Sequence, residues 1–599
     1  MNVSKLYILG LWLSVLFASC KTDTPQQKPD ANVAFKHHEN IVYCRLAAEP
    51  DQLNPLLTYK VYARTVYEQI FAYLLKFDPT TLELEPYLAK ARPEQQLLTD
   101  GPYQGGVAYT FEIREEARWE DGAPVTGADV AFTLKAILNP KVNAAVFRSY
   151  LDFVRDMEID ADNPQKFTVV TDRKYILGEE VVGTLAILPA AVYDPEGIMA
   201  EVPFQELANY TDDEALLSAY PGLQTFADEF NSVKYAREKG FISGAGPYRF
   251  ETWEAGQHLI LQKKENWWGE KVEHHSGVFD AFPDQLYYKI LPDQTAALAN
   301  LKDEALDVAS QIDTRDFREI EDNQIVSTYF NLHTPATYTY YYIGMNNHNV
   351  ELADPKVRRA LAHLLDIDQI IETLYYGLAE RTVGPIHPSK KYYHKGLNPI
   401  PYDVAKAQSL LQEAGWRDSN GNGVIDKQIN GEIVEMELDY LVSSGSKFGK
   451  NLALIVQNNT RKAGVEVKIV PREFNALAQD LKQRNFDLFG GGWSLAPSLD
   501  DPKQVWHTSS DTPGGSNRVG FGNAESDAVI DSIRLTLDEN KRDGLYRRFQ
   551  EIVYEQQPVI FLFTPNERIA IHKRFEAEPS LRRPGFFPNA FVQKDIVLN

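Results

Sequence analysis

Hydrophobic and polar positions alternate along Phe241 to Lys271 in a way that predicts two strands behind a tight link. Gly244-Ala245-Gly246-Pro247 frees the backbone and then fixes it. Tyr248 and Phe250, then Leu259 and Leu261, alternate with polar neighbours, and Gly256 stands between them as a hairpin turn. By spacing alone this is an ordinary hairpin after a loop.

The same grammar recurs elsewhere. Ile41 to Cys44 alternates as a first strand, and Ala47 to Pro55 follows as a turn-rich loop. Val61 to Phe71 repeats at helical spacing, and Phe111 and Ile113 alternate as in a strand. Asp121-Gly122 predicts a turn. Thr126 and Asp129 have capping-box spacing ahead of a helix face made by Val130, Leu134, Ile137 and Leu138. A helix over Thr295 to Leu301 leads into a short strand at Leu306 to Val308. Asp354-Pro355 opens one helix whose apolar face runs from Val357 to Leu374, and Asp403 to Ala414 forms another, closed by Gly415. Helices alternating with short strands predict an α/β architecture.

At 599 residues the chain exceeds one hydrophobic core, so two to four domains are expected. A net charge of −23 argues against a nucleic-acid or anionic-membrane partner, either of which calls for a basic patch. Lys5 and the apolar run Leu6 to Phe17 suit a signal peptide, being too short for the roughly 20 residues of a membrane span. Ala18-Ser19-Cys20 resembles a bacterial lipoprotein cleavage box. It implies a signal peptide over 1–19, lipid attachment at Cys20 and a polar tether over 20–40. The alternative is a secreted protein with a free cysteine. Cys44 is expected as a plain buried thiol, with no disulfide.

Patterns that could carry chemistry fall short. There is no His-Glu-x-x-His and no paired-cysteine spacing for zinc; His37-His38 lies in the tether and His274-His275 in a loop. Asp418 to Asp426 resembles a calcium loop, but Ile429 stands where a bidentate Glu is needed, and a glycine-rich turn into strands is the better reading. Gly445 to Lys450 is one residue short of a phosphate loop. Ser444 to Lys447 fits a serine–lysine pattern without its companion motifs. Neither an enzyme, a metal nor a cofactor is expected.

A resemblance organises the rest. Phe111 to Leu134, with Trp119, Asp121-Gly122 and Asp129-Val130, resembles the signature segment of bacterial extracellular solute-binding proteins of the peptide-binding class, family 5. The likeness continues through Gly244 to Gly269, Ile343 to Asn347, Asp354 to Asp368, Asp403 to Trp416, Phe486-Asp487-Leu488 with Trp493, and Ser516 to Phe521. It implies a two-lobe periplasmic-binding-protein-like fold (class II) with an extra domain inserted in the first lobe. The implied layout is lobe I over 41–86, inserted domain over 87–240, lobe I over 241–330, lobe II over 331–560 and lobe I again over 561–599.

It also implies capture of a solute, with peptide the expected class, by closure of two lobes, and delivery to an ABC-type permease. The protein would be a monomer of the cell envelope, held to the membrane by its lipid alone. Ligand-binding candidates are Tyr59, Asn346, Gly491, Gly492, Trp493, Ser494, Asp500 and Asp501. Members of the class commonly carry an Asp three residues after the Trp matched here by Trp493, to pair with the ligand's α-ammonium. This chain has Ala496 there. Either Asp500 or Asp501 takes over, or the ligand has no free amine at that point. The alternative function is a lipid-anchored structural or chaperone-like protein of the same fold; a hydrolase built on Ser444 is a third reading.

Overall fold

The structure is a computed structural model and describes residues 35–594 apart from 274–275 and 513–514. The expected signal peptide, Cys20, the first part of the tether and His274-His275 lie outside the described residues. Two sheets carry the two lobes. The first has seven strands in the order Tyr248–Glu254, His258–Lys263, Gln285–Ile290, Ile41–Leu46, Val308–Ala309, Ile569–His572 and Phe330–His333. It therefore draws on the beginning, middle and end of the chain. The second has six, in the order Ala379–Arg381, Val559–Pro565, Thr339–Met345, Leu488–Ser494, Glu437–Ser443 and Glu466–Arg472. Between Leu46 and Tyr248 the chain builds a further four-stranded sheet, Glu94–Leu97, Val107–Glu112, Lys166–Thr171 and Val154–Ile159, with the helix Gly127–Leu138 packed beside it.

The chain passes between the two large sheets at residues 333–339 and 565–569. These connections run side by side: Thr337 donates to the Pro565 carbonyl from both its amide (3.2 Å) and its hydroxyl (2.8 Å), and the Glu567 amide donates to Pro335 at 2.7 Å. Two adjacent crossing segments form the geometry of a hinge.

The link at Gly244 to Pro247 is tight because it lies against another backbone. The Gly246 and Tyr248 amides donate to the Ile70 and Gln69 carbonyls at 2.8 and 3.0 Å. A Cβ on Gly246 would lie 2.7 Å from Ile70 main-chain atoms. The indoles of Trp267 and Trp268 both donate to the Ala245 carbonyl, at 3.0 and 2.7 Å. The motif is thus a clamp of the hairpin onto the turn that follows the helix Val61–Tyr67. Trp119 is tied similarly: its indole donates to Asp129, which also accepts from the Thr126 amide and completes the capping box. Asp121 accepts from the Ala123 amide and serves the turn.

Three local readings change. The helix expected over Val61 to Phe71 ends at Tyr67. The single helix expected from Asp354 is two, Pro355–His363 and Ile367–Leu374, because the Asp366 side chain caps a fresh start by accepting from the Gln369 amide. The end of the expected tether is docked: Lys36 pairs with Asp303 at 2.8 Å, and Asn40 donates to the Phe282 carbonyl. The Asp418 loop is a turn into the hairpin Asp426–Ile429 and Glu432–Glu435, with Asp418 accepting from the Gly421 and Gly423 amides. Ser446 caps the helix Lys447–Thr460, which accounts for the polar spacing there. Cys44 is a fully buried thiol.

Candidate functional site

A cavity of about 490 Å³ lies where the two lobes face each other. Volumes of roughly 300–1,000 Å³ are those of small-ligand sites. From the first lobe and the segment inserted in it come the loop and helix around Tyr59 to Glu68, the strand residues Leu75 to Phe77, and the helix containing Glu180. The second lobe supplies Tyr338 and Thr339 beside the hinge, and Ser494 to Pro497 at the end of a central strand. Leu581, Arg582 and Arg583, from the returning C-terminal segment, close one wall. The rings of Tyr59, Tyr67, Tyr73, Phe77, Phe147 and Tyr338 make it strongly aromatic. A second hollow, about 550 Å³, is bounded by residues 119–129, 189–192 and 239–251, all before the first crossing. Hinge closure can enclose a solute only in the first.

Two of the eight ligand-binding candidates reach that cavity. Tyr59 stands on its rim, 65% exposed, and Ser494 lines it with its hydroxyl 3.5 Å from that of Thr339. Gly491 and Gly492 are elsewhere on the strand, where a Cβ would lie 2.7 Å from the rings of Tyr342 and Tyr341. Their bareness lets those rings lie across the sheet. Trp493 is half-buried among apolar neighbours, outside the lining. Asn346 is buried at the far end of its strand, donating to the Arg484 and Phe486 carbonyls.

Asp500 and Asp501 both lie outside the cavity lining. Asp500 is walled off behind the cavity: Tyr392 donates to Asp500 Oδ2 at 2.8 Å, and Tyr546, stacked on Tyr392, donates to its carbonyl. Burial holds its carboxyl above the usual range, opposed by the charge of Lys390. Asp501 bridges the lobes, accepting from Tyr175 at 2.9 Å and from Arg534 at 2.9 Å. The Ile176 amide adds a bond to the Arg534 carbonyl across the same gap.

The wall at Ala496 is held by a cation from the protein itself. Lys390 Nζ donates to the carbonyls of Ala496 (2.8 Å), Pro497 (2.7 Å) and Ser498, and lies 4.9 Å from the centre of the Tyr338 ring. Burial lowers its pKa, while the charges of Asp500 and Glu180 hold it up.

The charged lining was not singled out by sequence reasoning. Four cations, Arg64, Lys76, Arg582 and Arg583, face two carboxylates, Glu68 and Glu180. Glu68 is taken by Arg582 and approached by Arg64 at 3.7 Å. Glu180 is pushed up to about 7 by its enclosure, against the pull of Lys390. Lys76 is brought down to about 8 by burial, with Glu68 opposing. Arg64 is lowered by burial and by the neighbouring charge of Arg582. Only the i,i+4 spacing of Arg64 and Glu68 was visible locally; their partner Arg582 enters from more than 500 positions away.

Comparison with known proteins places this architecture. Residues 84–516 match the model described as "Bacterial extracellular solute-binding proteins, family 5 Middle". The oligopeptide-binding protein AppA of Bacillus subtilis (strain 168) is 27% identical over 585 residues, covering 96% of this chain and 95% of that protein. The structure of AppA with a nonapeptide superposes with a TM-score of 0.68 at 23% identity, over 95% of this chain and 100% of the other. NikA from Brucella suis, in complex with Fe(III)-EDTA, gives 0.72 at 18% identity, over 92% and 100%. The two-lobe fold is common to all three.

Proposed function

This chain belongs to the bacterial extracellular solute-binding proteins of family 5, and we propose on that premise that it captures a peptide in the interlobe cavity and passes it to an ABC-type importer. The observation that carries the reading is the cavity itself. It is aromatic, bounded by both lobes, and set beside the paired crossing segments on which those lobes can open. A binding protein of this kind needs no reacting group; it needs a closed state that holds solute more tightly than the open state does. The named peptide ligands of similar proteins support the class.

Anchoring by a lipid at Cys20 belongs to the same reading. It rests on the charged start, the short apolar run and the Ala18-Ser19-Cys20 box. No helix among the described residues is long and apolar enough to cross a membrane. Melting temperature measured against a panel of di- to octapeptides tests the proposal. A ligand present at 100 times its Kd adds about 2.7 kcal/mol to stability, a readily measured rise. A panel that leaves the melting temperature unmoved would remove the peptide reading.

A further inference from the structure

We infer that the cavity selects an acidic solute, a peptide or similar molecule whose enclosed part carries carboxylates, and does not require a free ammonium group. This rests on the peptide-capture reading and narrows it.

Of the nearby carboxylates and the carbonyls of the 496–498 wall, all but Glu180 are already engaged. The carbonyls of Ala496, Pro497 and Ser498 each accept from Lys390. Asp500 lies behind them, held by Tyr392, and Asp501 is bound to Tyr175 and Arg534. Glu68 is engaged by Arg582. Glu180 remains, and its enclosure favours the neutral form close to pH 7. Lys390 therefore supplies, from within the chain, the positive charge that a ligand amine would otherwise bring to this wall.

The donors are in surplus. Four cationic side chains against two carboxylates leave a formal excess of two positive charges around a partly enclosed space. Arg582 lies close enough to Arg64 to disfavour its charge. The Arg583 guanidinium is held loosely: its Nε meets Glu567, a buried carboxylate outside the lining, only at 3.9 Å and has no hydrogen-bond partner. An anionic group entering here would meet guanidinium forks suited to bidentate carboxylate binding and would relieve repulsion among them. A basic ligand would add to it.

The test uses the full chain and isothermal titration with one peptide frame in several forms. Glu-Ala-Glu is compared with its N-acetylated form, with N-acetyl-Gln-Ala-Gln amide, and with Lys-Ala-Lys. N-acetylation should change affinity by less than about threefold. Removal of the carboxylates should weaken binding at least tenfold, and the lysine peptide should bind weakest. Arg583→Gln should weaken the acidic peptide about tenfold more than it weakens the neutral peptide. This second measurement is insensitive to a general loss of fold, which would reduce both. Loss of binding on N-acetylation, or equal affinity for acidic and neutral peptides, overturns the inference and leaves peptide capture standing. Failure of every peptide, here and across the di- to octapeptide panel, removes peptide capture and the inference with it.

Discussion

The Tyr175 hydroxyl donates to Asp501 Oδ2 across the boundary between the lobes, at the same 2.9 Å at which Arg534 Nε meets that oxygen. Tyr175 belongs to the first lobe's inserted segment, Asp501 and Arg534 to the second lobe, and Tyr175 is buried. The contact exists only while the lobes are together. It is therefore a term that favours the closed state without touching the solute.

Tyr175→Phe should shift the balance toward opening. One hydrogen bond to a partly buried charge is lost, while the Arg534 pair remains. A cost on the order of 1 kcal/mol corresponds to about fivefold weaker solute binding. Titration calorimetry measures that change, and small-angle scattering should show a larger radius for the ligand-free variant than for the parent. Unchanged affinity together with an unchanged radius would mean that the contact contributes nothing to closure.

Lys390→Met should be severe. It leaves three carbonyls of the 496–498 wall without their donor and Asp500 without its cation. Breaking a buried charge set by removing one partner costs about 3–5 kcal/mol. Urea unfolding should register a loss of that order. A loss below about 1 kcal/mol would show that Lys390 is solvated rather than built into the wall.

Affinity for an acidic solute should fall as pH rises. Below about 7 Glu180 is neutral and the cavity's positive excess is largest; above it, a negative charge is added. Lys76 then gives up its positive charge through about 8. Both steps act against an anion whose carboxylates stay ionised throughout, each by about 1–2 kcal/mol at an effective dielectric near 20. Binding of N-acetyl-Glu-Ala-Glu measured from about pH 6 to pH 9 should weaken in two steps. Glu180→Gln should remove the lower one and Lys76→Met the upper one.

Glycines in the 241–271 segment should differ sharply in what they tolerate. Gly246→Ala would push a Cβ to 2.7 Å from the main chain at Ile70, where no side chain can yield, so several kcal/mol and poor folding are expected. Gly256→Ala, at the hairpin turn with φ +72° and open space around it, should cost only about 1 kcal/mol. Thermal unfolding of the two variants checks the order.

What could be read from residues alone follows from how far apart the partners lie. Thr126 with Asp129, Asp354 with Pro355, and separately Asp403 and Gly415 at the two ends of one helix are caps each complete within a few positions, and each forms as its spacing predicts. The break at Asp366 was hidden because apolar residues keep helical spacing across it, so periodicity had nothing to register. The site was less legible. Asp500 and Asp501 looked equivalent as neighbours before Pro502, yet their partners stand 108 and 326 positions away and give them separate structural duties. Arg64, Lys76 and Arg582 are ordinary surface-type residues until three distant segments bring them to one cavity. Gly491 and Gly492 were conspicuous for a reason unrelated to ligand, the packing of Tyr341 and Tyr342.

Ala496→Trp tests the central claim most directly, because Ala496 lines the interlobe cavity and a bulky ring there fills it from the second lobe. The measurement is titration of the best peptide from the panel into parent and variant, with the melting temperature of each recorded without ligand. Capture in this cavity predicts one site per chain in the parent and loss of binding in the variant, with ligand-free melting within a few degrees of the parent. A variant that still binds the same peptide with the parent's affinity and stoichiometry would contradict it, placing the solute somewhere other than between the lobes.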